Sequence, residues 1–162
     1  MTFNLSKRLK KIVSMCEPVD TIVDVGTDHG KVAITLSNMR TSKNVIAIDN
    51  KPGPLKFCEE NAKEYLEPSH SNFTTLLCDG ITKLDKKVEC GIIIAGIGYD
   101  NLIEIISNVS EYNYKYLILS PHTKITELIK YLDKHDIDLT EQENVFEDDK
   151  YYYILKAKKR GT

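Results

Sequence analysis

The sequence lacks the features by which several classes of protein are recognised. It contains no tryptophan, and no apolar run approaches the roughly 18–20 residues that a transmembrane helix requires. Its four cysteines lie far apart without a CxxC pair, which argues against a zinc site and against a disulfide framework. The N-terminal residues have no apolar core of the kind found in signal peptides. These absences predict a cytoplasmic protein without a metal site.

Neither sign of charge dominates, since 22 basic and 24 acidic side chains leave a formal net charge of −2. The basic residues nevertheless cluster near both ends of the chain. The first cluster comprises Lys7, Arg8, Lys10 and Lys11, and the second comprises Lys156, Lys158, Lys159 and Arg160. Such clusters usually form solvated surface, but two basic ends that meet in a fold would form a phosphate-binding edge. The charge pattern leaves both interpretations open.

The apolar residues follow an alternating pattern of short runs and helical segments, without a repeat or a low-complexity linker. A single domain over residues 1–162 is therefore expected. The runs predicted as strands are 21–25, 44–48, 73–78, 91–95 and 116–119. The segments predicted as helices are 5–15, 31–38, 54–66, 101–108 and 125–135. This alternation predicts an α/β fold with a Rossmann-like, doubly wound and mostly parallel sheet, whose crossovers are right-handed.

After His135 the pattern changes to two apolar segments, 137–145 and 151–158, with a short polar connection between them. The connection leaves no room for a helix, so the two segments are predicted to form an antiparallel C-terminal hairpin. Three consecutive tyrosines, 151–153, lie at the start of the second segment, and we assign them to packing within or on the sheet.

The first predicted strand ends in a glycine-containing loop, Asp24-Val25-Gly26-Thr27-Asp28-His29-Gly30. Glycines at this place let the backbone turn tightly and approach a ligand closely. The spacing G-x-x-x-G differs from the G-x-G-x-x-G dinucleotide fingerprint, and two aspartates would repel a diphosphate. The loop would tolerate a cationic sulfonium with an amino-acid tail, which favours S-adenosylmethionine over a nicotinamide cofactor. Generic turn glycines are the alternative.

Three further strand ends carry acids or glycines. Asp49 follows the second strand, where an acid accepts hydrogen bonds from ribose hydroxyls or caps the next turn. Asp79 and Gly80 follow the third strand, where an acid can accept a hydrogen bond from an adenine amino group. The fourth strand ends in Ala95-Gly96-Ile97-Gly98, whose small side chains leave space beside a transferable methyl group. Ligands of open α/β sheets bind at these ends. The predicted cofactor-binding residues are Asp24, Gly26, Asp28, Gly30, Asp49, Asp79, Gly80, Ala95, Gly96 and Gly98.

These motifs resemble those of the bacterial tRNA (adenine-22-N1)-methyltransferase family. The family's Leu-Ser-x-Arg-Leu segment is matched by Leu5-Ser6-Lys7-Arg8-Leu9, and its Asp-Ile-Gly-Ser-Asp-His loop by residues 24–29. Further matches are Gly53-Pro54, Ala95-Gly96-Ile97-Gly98-Tyr99, and a segment at 147–152 that resembles Glu-Asp-Gly-Lys-Tyr-Tyr. The resemblance implies a class I methyltransferase fold, S-adenosylmethionine as cofactor, and tRNA as substrate.

The sequence departs from that family in three places. Tyr99 replaces a glycine on the substrate side, and Ser120-Pro121-His122 stands where the family tends to have Gln-Pro-Asn. Family members also continue into a C-terminal helical extension implicated in tRNA binding, whereas the given sequence ends at Thr162. The cofactor inference is independent of these departures.

The reaction implied by the resemblance is methylation of adenine N1, which creates a cationic base. Asp28 is our candidate for a carboxylate that stabilises the developing charge, or alternatively it caps the next helix or binds the methionine amine. His29 is our candidate for a group that hydrogen-bonds the base, or alternatively it holds the loop. Asp100 is a weaker candidate, because an N-cap of the following helix explains it equally. The predicted RNA-binding residues are Lys7, Arg8, Lys10, Lys11 and Tyr99, the last as a stacking platform for a base.

Other functions remain open at this level. The chain would alternatively be a methyltransferase for another RNA or a small molecule, or a cofactor-binding subunit without catalysis. A tyrosine at position 99 that fills the substrate space would favour the non-catalytic alternative. A nicotinamide-binding domain is the least favoured, because the phosphate-binding fingerprint is absent.

Overall fold

Seven strands form one sheet in the computed structural model, which describes residues 3–162; the first two residues of the predicted domain lie outside the described part. The strands are β1 (Val19–Val25), β2 (Ser42–Asp49), β3 (Asn72–Leu77), β4 (Cys90–Ile97), β5 (Tyr114–Pro121), β6 (Ile137–Glu147) and β7 (Lys150–Lys159). Their order in the sheet is β3-β2-β1-β4-β5-β7-β6. Strands β1 to β5 pair in parallel, whereas β7 is antiparallel to both β5 and β6. The predicted fold class, including the antiparallel hairpin, is confirmed.

Five helices cover the two faces of this sheet. They are α1 (Lys7–Met15), α2 (Lys31–Met39), α3 (Pro52–Tyr65), α4 (Tyr99–Ile106) and α5 (Ile125–Lys134), and a short 3₁₀ helix follows at Val109–Glu111. None of the helices in residues 3–162 is both long and apolar enough to cross a bilayer.

Helix starts differ from the predicted ones for local reasons. Helix α1 begins two residues later than predicted, since Ser6 is its N-cap and its hydroxyl oxygen accepts a hydrogen bond from Leu9 N at 3.2 Å. Helix α4 begins at Tyr99 with Gly98 as N-cap, so Asp100 lies in the first turn and is not the cap. There its carboxylate faces the positive end of the helix dipole.

The core consists of two layers because both faces of the central strands are covered. On one face, β4 and β5 contribute Ile92 and Leu117 to a cluster that includes Leu102 of α4 and Leu128 of α5. The other face packs against α1 and α2, with Ile93 at its centre. Burial on both faces explains why these strands read as near-continuous apolar runs. The carboxyl ends of β1, β2 and β4 are not covered by these helices and remain accessible.

Candidate functional site

Two adjoining cavities occupy the carboxyl edge of the sheet. The first, of about 590 Å³, lies between the ends of β2 and β3 and helix α4. The second, of about 490 Å³, lies between the loop after β1, helix α1 and the end of β4. Gly26, Asp49 and Ile97 line both, so the two form one cleft. The cleft lies at the ends of the neighbouring strands β1 and β4, whose connections lead to opposite sides of the sheet, and this is the usual ligand position in such folds.

The loop after β1 is held in place by the end of β2. The backbone N–H groups of Gly26 and Thr27 each donate to the Ile48 carbonyl oxygen at 2.9 Å. Gly30 begins α2 with φ +77°, and a Cβ atom there would collide with Sγ of Cys58 on α3. Only glycine meets both the left-handed backbone and this close approach. Gly30 therefore positions the loop and does not line either cavity.

Asp24 lies at the floor of the second cavity and is 6% exposed. Burial, together with the smaller effect of the charges of Asp49 and Asp28, raises the pKa of its carboxyl group to about 7, although a hydrogen bond from Thr27 acts to lower it. That bond joins Thr27 Oγ1 to Asp24 Oδ2 at 2.9 Å. A cationic ligand group next to Asp24 would favour its ionised form. The position therefore suits the ammonium group of an amino-acid tail.

Asp49 is central to the cleft, since its side chain faces both cavities at the end of β2. It is 9% exposed, and its carboxylate accepts hydrogen bonds from Lys51 N at 3.1 Å and from Asp28 N at 3.4 Å. These bonds orient the carboxylate and tie the loop after β1 to β2. A hydrogen-bond acceptor between the two cavities fits the hydroxyl groups of a sugar. Such a sugar would carry a base on one side and a tail on the other.

The first cavity combines polar and apolar walls. The predicted Asp79 and Gly80 line it, together with Ile81 and Ile105. Polar residues of α4 and the segment after it, which the sequence analysis missed, complete the wall: Asn101, Glu104 and Asn108. Their i, i+3, i+7 spacing on the solvent side of a helix was the signal that could have identified them. A flat heterocycle with amino groups suits this mixture.

The second cavity ends at Ala95 and Gly96 of β4. Gly96 has φ +72°, and a Cβ atom there would lie 3.9 Å from Nη1 of Arg8, so the arginine lies directly beside this end of the strand. Asp28 and His29 line the same cavity, with 3.8 Å between Asp28 Oδ1 and His29 Nε2. Both side chains are exposed, at 76% and 51% respectively. The structure thus brings the two predicted catalytic residues to one mouth.

The second cavity combines a buried acid with cationic side chains. Asp24 is buried, whereas Arg8, Lys31 and Lys51 also line the cavity, together with the exposed carboxylate of Asp28. His122, which was noted only as a departure from a family pattern, also lines this cavity. The arrangement suits a cationic ligand inside and an anionic one at the mouth.

Several predicted residues lie away from the cleft. Gly98 lines neither cavity, and Lys7, Lys10 and Lys11 are on α1 outside the lining residues. Tyr99 packs against the core beneath α4 and has Lys124 Nζ 5.5 Å from its ring centroid. The substrate space is therefore not filled by Tyr99, and its predicted stacking role finds no support in this position.

The C-terminal basic cluster is largely occupied by ion pairs. Glu17 lies 3.2 Å from Lys156 Nζ and 3.4 Å from Lys158 Nζ. Arg160 contacts three carboxylates, those of Asp133, Asp136 and Asp138, at 2.7–3.1 Å. A joint phosphate-binding edge is thus not formed. In residues 3–162, no three His, Cys, Asp or Glu side chains are grouped so that they could hold a metal.

A family model described as a methyltransferase domain matches residues 5–155. No curated protein sequence matches the chain.

Several solved structures resemble the chain over nearly its whole length. M. capricolum TrmK, in complex with the natural cofactor product S-adenosyl-homocysteine, is 24% identical with a TM-score of 0.85, covering 97% of this chain and 70% of that one. The B. subtilis M1A22 tRNA methyltransferase TrmK is 22% identical with a TM-score of 0.81, covering 96% and 67%. A Streptococcus agalactiae protein in the NADB-Rossmann superfamily is 25% identical with a TM-score of 0.88, covering 100% and 72%. The predicted resemblance is confirmed.

Proposed function

Because the chain belongs to the methyltransferase domain family, whose model matches residues 5–155, we propose that it methylates N1 of an adenine in tRNA, at position 22. Its cofactor is S-adenosylmethionine, as the solved complex of M. capricolum TrmK with S-adenosyl-homocysteine supports. The observation that carries the proposal is the lining of the second cavity. The buried acid Asp24 suits a sulfonium cofactor inside, and the cations Arg8, Lys31 and Lys51 that line the same cavity suit an RNA phosphate.

The residues present fit this cofactor. Asp24 would hold the ammonium group of its methionine part, and Asp49 the ribose hydroxyls. Asp79 and Gly80 would hold the adenine, between apolar side chains of the first cavity. When bound, S-adenosylmethionine supplies an electrophilic methyl group, and the small residues Ala95 and Gly96 leave room beside it.

The side chains at the mouth act on the substrate. Adenine N1 attacks with an in-plane lone pair, so orientation of the base contributes much of the rate. The Asp28 carboxylate stabilises the positive charge that develops on the base, or accepts a proton from it. His29, 3.8 Å from Asp28, orients the base by a hydrogen bond. Arg8 binds phosphate and offsets part of the cost, a few kcal/mol, of extruding the base.

Asp28→Asn is expected to lower kcat by about tenfold, because a neutral amide cannot stabilise the cationic base as a carboxylate does. Asp28 has φ +55°, which asparagine also tolerates, so this change adds no backbone strain. The measurement is single-turnover methyl transfer at saturating S-adenosylmethionine, so that any change in cofactor affinity does not affect the rate. An unaltered rate in this variant removes Asp28 from the chemistry.

Arg8→Glu is expected to raise the KM for tRNA by about tenfold or more, since it removes one phosphate contact and adds a repulsive charge. The matched control is Lys10→Glu, because it makes the same change of charge at a position roughly 200° around the helix from Arg8. Its effect should be clearly smaller, because Lys10 does not line the cavity. Equal effects of the two changes would mean that α1 contributes only a general electrostatic field.

The function itself is tested by transfer of a labelled methyl group from S-adenosylmethionine to a tRNA pool that lacks the modification. We expect 1-methyladenosine at position 22 and no transfer to a tRNA in which that adenine is replaced. A methyltransferase for another RNA is the second candidate, favoured by His122 at the substrate side where the resembled family tends to have asparagine. Methylation of total RNA but not of tRNA would select that candidate.

A further inference from the structure

The hairpin of β6 and β7 continues past its last ladder pair with β5. The last residue pair between β5 and β7 is Leu119 with Leu155, yet β6 and β7 stay paired to Glu147 and Lys150. The two-stranded part, residues 143–147 and 150–154, is here called the ribbon. It extends about 16 Å from the Leu155 pair, at roughly 3.3 Å per residue. Because β7 is antiparallel to β5, the ribbon projects from the edge that carries the cleft.

A tight turn closes the ribbon. Asp148 and Asp149 both have positive φ, 53° and 61°, as in the two-residue type I′ turn that matches the twist of a hairpin. Next to this turn, Phe146 and Tyr151 are directly opposite each other across the two strands. Their ring centroids are 4.9 Å apart at 50°, and the residues are 52% and 62% exposed. Two large rings thus pack against each other on the surface of the sheet and face solvent.

The opposite face of the ribbon carries positive charge and leads to the cleft. The ring of Tyr152 has the Arg8 guanidinium carbon 5.1 Å and Lys150 Nζ 4.8 Å from its centroid. Glu147 accepts a hydrogen bond from the backbone N–H of Lys7 at 2.8 Å, which joins the ribbon to the start of α1. Arg8 also lines the second cavity beside Gly96. One arginine therefore connects the ribbon to the methyl-transfer end of the cleft.

We propose that the ribbon binds the tRNA next to the target adenine, with one unpaired nucleobase stacked on Phe146 and Tyr151 on one face and a phosphate farther along the same RNA strand held by Arg8 and Lys150 on the other face. This inference rests on the proposed function and names a second contact of the same substrate. Exposed aromatic rings on one face and cationic side chains on the other match the bases and the phosphates of an RNA strand that passes around the edge of the ribbon.

The charge of the turn limits which part of an RNA can bind to Phe146 and Tyr151. Asp148 and Asp149 are exposed, and their carboxylates repel a phosphate that approaches the tip. A continuous duplex backbone is therefore disfavoured there. A neutral base is accepted on the rings, since its amino groups can donate hydrogen bonds to these carboxylates. The ribbon consequently fits an unpaired, splayed-out nucleotide, as is found where a neighbouring base has been extruded.

The double variant Phe146→Ala/Tyr151→Ala tests the inference. We expect its tRNA dissociation constant and KM to rise about tenfold, as loss of one stacked base predicts. The rate at saturating tRNA and the affinity for S-adenosylmethionine should stay unchanged. The loss of tRNA affinity relative to the wild type should be equal at about 50 mM and about 200 mM salt, because stacking releases no counterions. Leu139→Ala, at the other end of β6 and 37% exposed, is the matched control and should bind tRNA normally.

A direct probe of stacking is available because the chain contains no tryptophan. Phe146→Trp introduces a single indole at the proposed contact. Addition of tRNA should quench its fluorescence while the affinity is kept, whereas the indole of Leu139→Trp should not respond. Quenching in both variants, or in neither, would contradict a base stacked at the tip.

Failure of this inference can be distinguished from failure of the proposed function. Wild-type methylation of tRNA together with an unchanged tRNA affinity of the double variant overturns the ribbon contact and leaves the function standing. Absence of methylation and binding in the wild type overturns both. A loss of self-association in the double variant, seen by sedimentation with unaltered tRNA affinity, would show that the rings contact a second copy of the chain and also overturns the inference.

Discussion

Asp49→Ala is expected to weaken S-adenosylmethionine binding by about a hundredfold, the largest effect of any single change in the cleft. The carboxylate faces both cavities and would accept hydrogen bonds from two ribose hydroxyls. Hydrogen bonds to a charged group contribute roughly 1.5–3 kcal/mol each, and about 1.4 kcal/mol corresponds to a factor of ten. Isothermal titration calorimetry with S-adenosyl-homocysteine measures the change.

The same substitution also disturbs the loop after β1, because Asp49 accepts hydrogen bonds from the N–H groups of Asp28 and Lys51. Asp49→Asn separates the two effects, since its amide oxygen still accepts one such bond. We expect nearly normal thermal stability and a cofactor affinity between those of the wild type and Asp49→Ala. An affinity that is unchanged in Asp49→Ala would exclude Asp49 from the site.

Asp24→Asn is expected to stabilise the cofactor-free protein above pH 7 and to change little near pH 4. Burial raises the pKa of Asp24 from 3.8 to about 7, so between these values the folded protein holds a proton that the unfolded chain has released. The stability due to the neutral group is complete below pH 3.8 and is lost as the pH rises through about 7. Three pKa units correspond to about 4 kcal/mol, the upper limit of the expected difference.

The measurement is the free energy of unfolding of both proteins in urea, at several pH values between 4 and 8. Other carboxyl groups titrate in both proteins, so the difference between the two curves reports Asp24. Asparagine keeps an acceptor for the Thr27 hydroxyl, which limits other changes. Parallel curves would show that Asp24 is already ionised at low pH. Cofactor affinity of the wild type should rise as the pH increases through 7, and this rise should vanish in the variant.

Much of the fold could be predicted because its signals are local. Apolar runs of strand length indicate strands buried on both faces, and the short polar segment after Val145 leaves room only for a hairpin. The glycine loop could be placed for the same reason, since Gly30 must adopt a positive φ. Eight of the ten predicted cofactor residues line the cleft; Gly30 and Gly98 do not.

The predictions that failed or stayed open depended on which surfaces meet. The sequence does not reveal that the ring of Tyr99, the first residue of α4, packs against the core. The C-terminal cations were read as a possible phosphate edge, whereas Glu17 and three aspartates occupy most of them. Exposure of Phe146 and Tyr151 likewise follows from where β5 ends, which no local pattern encodes.

The sequence by itself determined the order of the strands and helices, the glycine loop and the acids at the strand ends, because backbone preference and hydrophobic periodicity act over a few residues. Only the tertiary structure decided that Arg8 from α1 lies beside Gly96, that burial raises the pKa of Asp24, and that the ribbon projects beside the cleft. Each of these depends on contacts between segments distant in the chain, and on the exclusion of water that follows from their packing.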